Sequence, residues 1–218
     1  MKLYTYWRST ASYRVRIALN LKGVTYAPVP VDLVKGTQRN ADYAALNPSG
    51  LVPVLALDDG TVLTQSLAII DWLEATHPEP PLLPTDAVQR ARVLAAAHLI
   101  AMDVHPVNNL RVVQHLGTQF NATAEDKAAW MRHWMALGFN ALQQMIDPAT
   151  PFAFGDTPTL ADICLVAQIY NARRWGLDLT PYPRLTAIDA RARALPAFDM
   201  AGPDAQPDAP KTQGPTCH

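Results

Sequence analysis

Cysteine is nearly missing from this chain: its 218 residues include two, Cys164 and Cys217. Neither has a CxxC partner, which argues against a disulfide framework and a dithiol redox motif. Any thiol chemistry then needs a thiol from outside the chain. An excess of one charge is missing too. Eighteen Lys and Arg against nineteen Asp and Glu leave a net charge of −1, so no nucleic-acid partner is expected. No apolar run is long enough to cross a bilayer, so no membrane partner is expected. The first residues enter a strand-like segment without the apolar core of a signal peptide, and the reading is cytoplasmic. The histidines His77, His98, His105, His115, His133 and His218 form no ligand spacing with cysteine or acid. No metal is expected.

What is present is an alternating pattern followed by a helical one. Lys2–Tyr6 reads as a strand and Ser12–Lys22 as a helix, with Val15, Ala18 and Leu21 at helical spacing and Gly23 as its stop. Thr25–Val31 reads as a second strand. Arg39–Ala45 reads as a short helix running into the turn Asn47-Pro48-Ser49-Gly50. Val52–Leu57 and Thr61–Leu63 flank Asp58-Asp59-Gly60, a hairpin signal, and Ser66–Thr76 is amphipathic. Residues 77–86 hold four prolines. Helical patterns then cover Ala87–Leu116, Thr123–Met145, Thr159–Arg174 and Arg184–Leu195. The expected organisation is a small α/β domain over 1–79, a linker over 80–86, an all-α domain over 87–200 and an extended tail over 201–218.

The densest chemistry lies in Arg8-Ser9-Thr10-Ala11-Ser12-Tyr13-Arg14-Val15-Arg16. Ser9, Thr10 and Ser12 each fit an N-cap, which favours short oxygen-bearing side chains. Arg14 and Arg16 place cations where the helix dipole prefers anions. Amides, hydroxyls and arginines at one helix start make an anion site, and a thiolate is such an anion. Val52-Pro53-Val54 puts a proline in a strand-like run. An edge strand accommodates it, and so does a cis peptide that turns the N–H and C=O of Val52 toward a ligand. Gln65-Ser66 opens a helix in which the residue three beyond Ser66 is Ile69, so no capping box closes it. Water or an outside carboxylate fits there. Thr159-Leu160-Ala161-Asp162, by contrast, is a self-satisfied helix start and reads as structural. Pro106 inside a helical pattern predicts a kink, with His105, Asn109 and Arg111 beside it. A structural histidine and a solvated arginine also account for that group. Arg173-Arg174 close a helix, where cations complement the dipole. Arginine outnumbers lysine thirteen to five, a bias suited to bidentate carboxylate recognition.

In that order and spacing, the Arg8–Arg16 run, Val52-Pro53, Gln65-Ser66-Leu67-Ala68-Ile69-Ile70 and Thr159–Asp162 resemble the zeta-class glutathione transferases from Met1 to about Pro210. Asp178-Leu179-Thr180-Pro181-Tyr182-Pro183 adds to the match. Within the class the chain is similar to the bacterial maleylpyruvate isomerases and to the maleylacetoacetate isomerases. The resemblance implies a thioredoxin-like N-terminal domain, an all-helical C-terminal domain, glutathione as cofactor and a homodimer. It implies a small dicarboxylate keto acid as substrate, isomerised from cis to trans by thiolate addition, bond rotation and elimination. Ser9 becomes the thiolate donor, with Thr10 assisting. Glutathione contacts fall on Ser9, Thr10, Ala11, Gln38, Val52, Pro53, Gln65, Ser66, His105 and Asn109. Arg8, Asn109, Arg111 and Arg174 fall near the substrate. One departure stands out: many members have Ser-Ser-Cys-Ser where this chain has Ser9-Thr10-Ala11-Ser12, so a mechanism that needs that cysteine is unavailable. A general glutathione-conjugating enzyme and a non-catalytic glutathione-transferase-like module are the other classes in view.

Overall fold

The computed structural model describes residues 1–210. Cys217 and the last eight residues of the expected tail, 211–218, lie outside the described residues. The chain folds as two compact units, Met1–Leu73 with the residues from Pro196 onward, and Glu74–Leu195.

The first unit is built on a four-stranded sheet in the order β2-β1-β3-β4. Strand β1 (Lys2–Thr5) pairs parallel with β2 (Ala27–Pro30) and antiparallel with β3 (Val54–Ala56), which pairs antiparallel with β4 (Val62–Thr64). Parallel neighbours need a crossover, and helix α1 (Thr10–Leu21) supplies it. Pro28 and Pro30 explain why β2 lies at the edge, where a missing N–H costs no central ladder bond. The β3–β4 turn is the expected Asp58-Asp59-Gly60 hairpin, with Gly60 at φ 90°. A 3-10 turn (Thr37–Arg39), α2 (Ala41–Leu46) and α3 (Ser66–Thr76) complete the pattern.

Two boundaries differ from the expected ones. Residues 196–210 belong with the first unit, not with the helices, and 201–210 are not simply extended. Helix α10 (Pro196–Ala201) packs on α1 and buries Phe198 and Ala201 completely. A 3-10 turn (Pro203–Ala205) follows, and Gln206 Nε2 donates to the carbonyls of Met200 and Gly202 at 3.0 and 2.9 Å. The proline-rich linker is bound into the second unit. The Glu74 carboxylate accepts the Leu82 N–H at 3.0 Å and the Leu83 N–H at 3.0 Å, and both leucines are buried.

The second unit centres on α8 (Leu160–Arg174), packed by α4 (Ala87–His98), α7 (Ala124–Met145) and α9 (Pro183–Arg193). The single helix expected over Ala87–Leu116 is interrupted. After α4 comes a π-helical stretch (Leu99–Val104), then α5 (His105–Val107), a turn, and α6 (Leu110–Phe120). Pro106 has no N–H to donate to the preceding turn, and the His105 N–H reaches back five residues to the Ile100 carbonyl. Among the described residues no helix is long and apolar enough to cross a membrane.

Candidate functional site

In the first unit, Ser9 is the N-cap of α1, its Oγ accepting the Ser12 N–H at 3.2 Å. Of the three hydroxyls expected to compete for this position, Thr10 is instead the first helical residue, and Ser12 lies buried two residues further on. A hydroxyl that accepts a hydrogen bond still has one proton to donate, and Ser9 Oγ accepts from its own helix. Ala11 is half-buried. The Arg8 guanidinium stacks over the rings of Trp7 and Tyr6, at 5.4 and 6.0 Å from their centres.

Arg14 and Arg16 do not form the open cationic mouth expected of them. Both are buried, 1 % and 0 % exposed. Arg16 is a structural hub. Its Nε donates to the Ala201 carbonyl at 2.9 Å, Nη1 to Thr5 Oγ1 at 3.0 Å and to the Tyr6 carbonyl at 3.4 Å, and Nη2 to the Trp7 carbonyl at 3.0 Å. Arg14 Nη1 donates to Ser66 Oγ at 3.4 Å, linking the starts of α1 and α3. Ser66 is also not the cap that its position suggested. Gln65 occupies the cap position, its carbonyl accepting the Ile69 N–H at 3.0 Å, and Ser66 is the first helical residue. Gln65 sits at φ 68°, a left-handed conformation uncommon for a non-glycine residue and typical of positions held for function. A guanidinium only donates. Ser66 Oγ therefore accepts from Arg14.

The Val52–Pro53 peptide is cis, the second of the two conformations weighed. The loop before it is pinned at the Leu51 carbonyl, which accepts Tyr43 Oη at 2.6 Å and Asn47 Nδ2 at 2.8 Å. Burial pushes the Tyr43 phenol above its ordinary range, so it stays a donor. A Cβ at Gly50 would sit 3.5 Å from the Gln38 carbonyl, which places the 3-10 turn against this loop. Gln38 is 8 % exposed, and its Oε1 is a buried acceptor with no hydrogen-bond partner.

In the second unit, His105 opens α5, and Asn109 caps α6 with its Oδ1 accepting the Arg111 N–H at 3.2 Å. Arg111 is exposed. Trp130 Nε1 donates to the Val107 carbonyl at 2.8 Å and Gln168 Nε2 to Asn108 Oδ1 at 3.5 Å, fixing this break against α7 and α8. Arg174 ends α8 with its guanidinium over the Trp175 ring, 5.0 Å from the centre. Its neighbour does more than complement a dipole. Arg173 pairs with the buried Asp189 at 2.6 Å; burial pushes that carboxyl up and Arg173 pulls it down. The Thr159–Asp162 helix start is self-satisfied as expected, with Asp162 Oδ2 accepting from the Thr159 N–H at 2.8 Å and its hydroxyl at 2.9 Å.

Arg8, Ser9, Thr10, Ala11, Gln38, Val52, Pro53, Gln65 and Ser66 thus fall in the first unit, and His105, Asn109, Arg111 and Arg174 in the second. Sequence reasoning missed Arg14, Tyr43 and Asn47 as supports. The available signal was in α1, where Val15, Ile17, Ala18 and Leu19 leave no polar face to carry an arginine outward. Among the described residues no group of three His, Cys, Asp or Glu is placed to hold a metal ion.

Residues 8–76 match the family described as glutathione S-transferase, N-terminal domain. A maleylpyruvate isomerase from a Ralstonia species is 50% identical over 212 residues, covering 95% of this chain and 99% of the relative. The holo structure of a maleylpyruvate isomerase described as a bacterial zeta-class glutathione transferase matches with 48% identity and a TM-score of 0.94, over 96% of this chain and 100% of that one. A maleylacetoacetate isomerase from Anaeromyxobacter dehalogenans, solved with dicarboxyethyl glutathione and citrate in its active site, matches with 46% identity and a TM-score of 0.86, over 96% and 97% of the two chains.

Proposed function

This chain belongs to the zeta class of the glutathione transferases, and from that premise we propose that it isomerises a cis maleyl-keto acid to its trans fumaryl form with glutathione as cofactor. Maleylpyruvate is the substrate proposed, with maleylacetoacetate as the alternative. The observation that carries the reading is the start of α1, where Ser9 caps the helix through its oxygen.

The residues of the first unit fit glutathione. Ser66, already accepting from Arg14, has a proton for the γ-glutamyl carboxylate. Gln38 offers a buried acceptor that lacks a donor. The family resemblance assigns the backbone of Val52, which precedes the cis peptide, to the cysteinyl unit, and Pro53 and Gln65 to glutathione as well. Bound glutathione supplies a thiolate that adds to the cis double bond and, after rotation about the resulting single bond, leaves again.

Ser9 donates to the sulfur, and the positive end of the α1 dipole favours the anion, which together lower the thiol pKa. Thr10 assists. Ala11 contributes no thiol, so no step uses a protein cysteine. On the family resemblance, Arg8, Arg111 and Arg174 are each proposed for the substrate's carboxylates or the oxygen on which negative charge develops, because guanidinium offers the matching fork. His105 and Asn109 are assigned to glutathione, Asn109 near the substrate as well. A relative that holds dicarboxyethyl glutathione supports this chemistry, because that ligand is by name a glutathione thioether carrying two carboxylates. The same reading makes the protein a cytoplasmic homodimer.

The test is kcat/KM for maleylpyruvate and maleylacetoacetate side by side. One methylene is worth about 1–3 kcal/mol in a pocket, so a preference of roughly tenfold or more for maleylpyruvate is expected. The reverse ratio assigns the enzyme to maleylacetoacetate. Isomerisation of neither contradicts the reading.

A further inference from the structure

The residues that carry Ser9 are held from an unexpected place. Strand β1 ends at Thr5 and α1 begins at Thr10, so residues 6–9 lie outside both ladders. Backbone groups there still need partners. The Ser9 N–H bonds the Tyr6 carbonyl at 2.9 Å, closing a turn. The carbonyls of Tyr6 and Trp7 accept from the buried Arg16. The Trp7 N–H donates to Asp208 Oδ2 at 2.9 Å, a contact between residues 201 positions apart. The residue just ahead of Arg8 is therefore fixed at its carbonyl by a cation and at its amide by an anion.

The segment that brings Asp208 is itself fastened to α1. Asn20 Nδ2 donates to the Ala197 carbonyl at 3.0 Å and Arg16 Nε to the Ala201 carbonyl at 2.9 Å. Arg16 thus holds the turn and the segment with one guanidinium. Asp208 also lines, with Trp7, Arg8 and Lys35, a cleft of about 580 Å³ in the same unit.

We propose that Asp208 is a positioning residue for the thiol-activating turn: its carboxylate, through the Trp7 N–H, sets where Ser9 presents its hydroxyl. This rests on the role given to Ser9 above. A hydrogen bond has a preferred direction, so this one fixes the orientation of the Trp7 peptide, and catalysis falls steeply with small displacements of a reacting geometry.

The experiment compares full-length Asp208→Ala and Asp208→Asn with the parent, using glutathione and maleylpyruvate. Asp208→Ala is expected to lower kcat about tenfold, a modest share of what a 1 Å misplacement removes. It should also raise the pH at which bound glutathione shows thiolate absorbance, leave glutathione affinity near that of the parent, and speed amide exchange at residues 7–9. Asp208→Asn keeps an acceptor oxygen for the Trp7 N–H and should stay close to the parent in all four. Asp208→Ala with unchanged kcat and unchanged thiol titration overturns the proposal, whatever its Tm, and so does its failure to fold, which would make Asp208 a structural residue. Loss in Asp208→Asn equal to that in Asp208→Ala also overturns it, since charge and not the bond to Trp7 would then be acting. If the parent itself neither binds glutathione nor isomerises, the functional reading has failed separately, and amide exchange still reports on the bond.

Discussion

Arg173 and Arg174 are adjacent in sequence and differ in every physical respect that matters here. Arg173 is tied to the buried Asp189, whereas Arg174 lies across Trp175. Arg174→Ala is predicted to lower kcat/KM for the keto acid by about tenfold to a hundredfold, the equivalent of one hydrogen bond to a charged group at ~1.5–3 kcal/mol. Glutathione affinity should be kept. Arg174→Lys should fall between, since it retains charge and loses the fork. Arg173→Ala should lower Tm and spare kcat/KM, because it leaves a buried carboxylate without its partner. Full activity of Arg174→Ala would remove it from the substrate. At this scale the sequence showed hydroxyls at helix starts, and Ser9 is the cap it suggested. That Arg14 and Arg16 point inward was signalled only by the apolar residues around them in α1, against the ordinary reading of a helical arginine as a solvated face.

Helix α7 carries two element-scale predictions. Gly138 faces the π-helical stretch, and a Cβ there would overlap Val104 Cγ2. Helix propensity favours alanine over glycine by about 1 kcal/mol, while overpacking a core costs about 1–3 kcal/mol. Val104 is 4 % exposed and has little room to move, so Gly138→Ala is predicted to lower Tm, with Val104→Ala in the same chain restoring part of the loss. A Tm at or above the parent's would show that the approach is not tight. At the start of α7, Asp126 Oδ2 accepts from the Thr123 hydroxyl at 2.7 Å and the Thr123 N–H at 2.8 Å, which hold its carboxyl below the ordinary value. A depressed folded-state pKa gives stability that is present above the unfolded value and lost as pH falls through the folded one. The Tm deficit of Asp126→Ala should therefore be full at about pH 6 and narrow below about pH 3.9; thermal scans in which it widens on acidification would contradict this. The strands and most helices were legible because their periodicity is local. Pro106 announced a break, but the π-helical stretch from Leu99 to Val104 did not show, since its residues keep an ordinary helical pattern.

Across the whole molecule, the division into a sheet unit and a helical unit followed from the change in pattern after residue 76. What composition hid was the fate of residues 196–210: 196–200 read as the end of the helical domain and 201–210 as a tail, whereas Phe198 and Ala201 are buried in the first unit. No local signal names a tertiary partner so far away in sequence. The proposed chemistry turns on the thiol: glutathione, activated at the start of α1, acts and is returned. It is tested most directly by following maleylpyruvate and glutathione together by NMR, with glutathione well below one equivalent of substrate. The prediction is full conversion of the cis to the trans keto acid with the glutathione signal unchanged. Turnover that stops when glutathione is exhausted, with a thioether accumulating in its place, would contradict it.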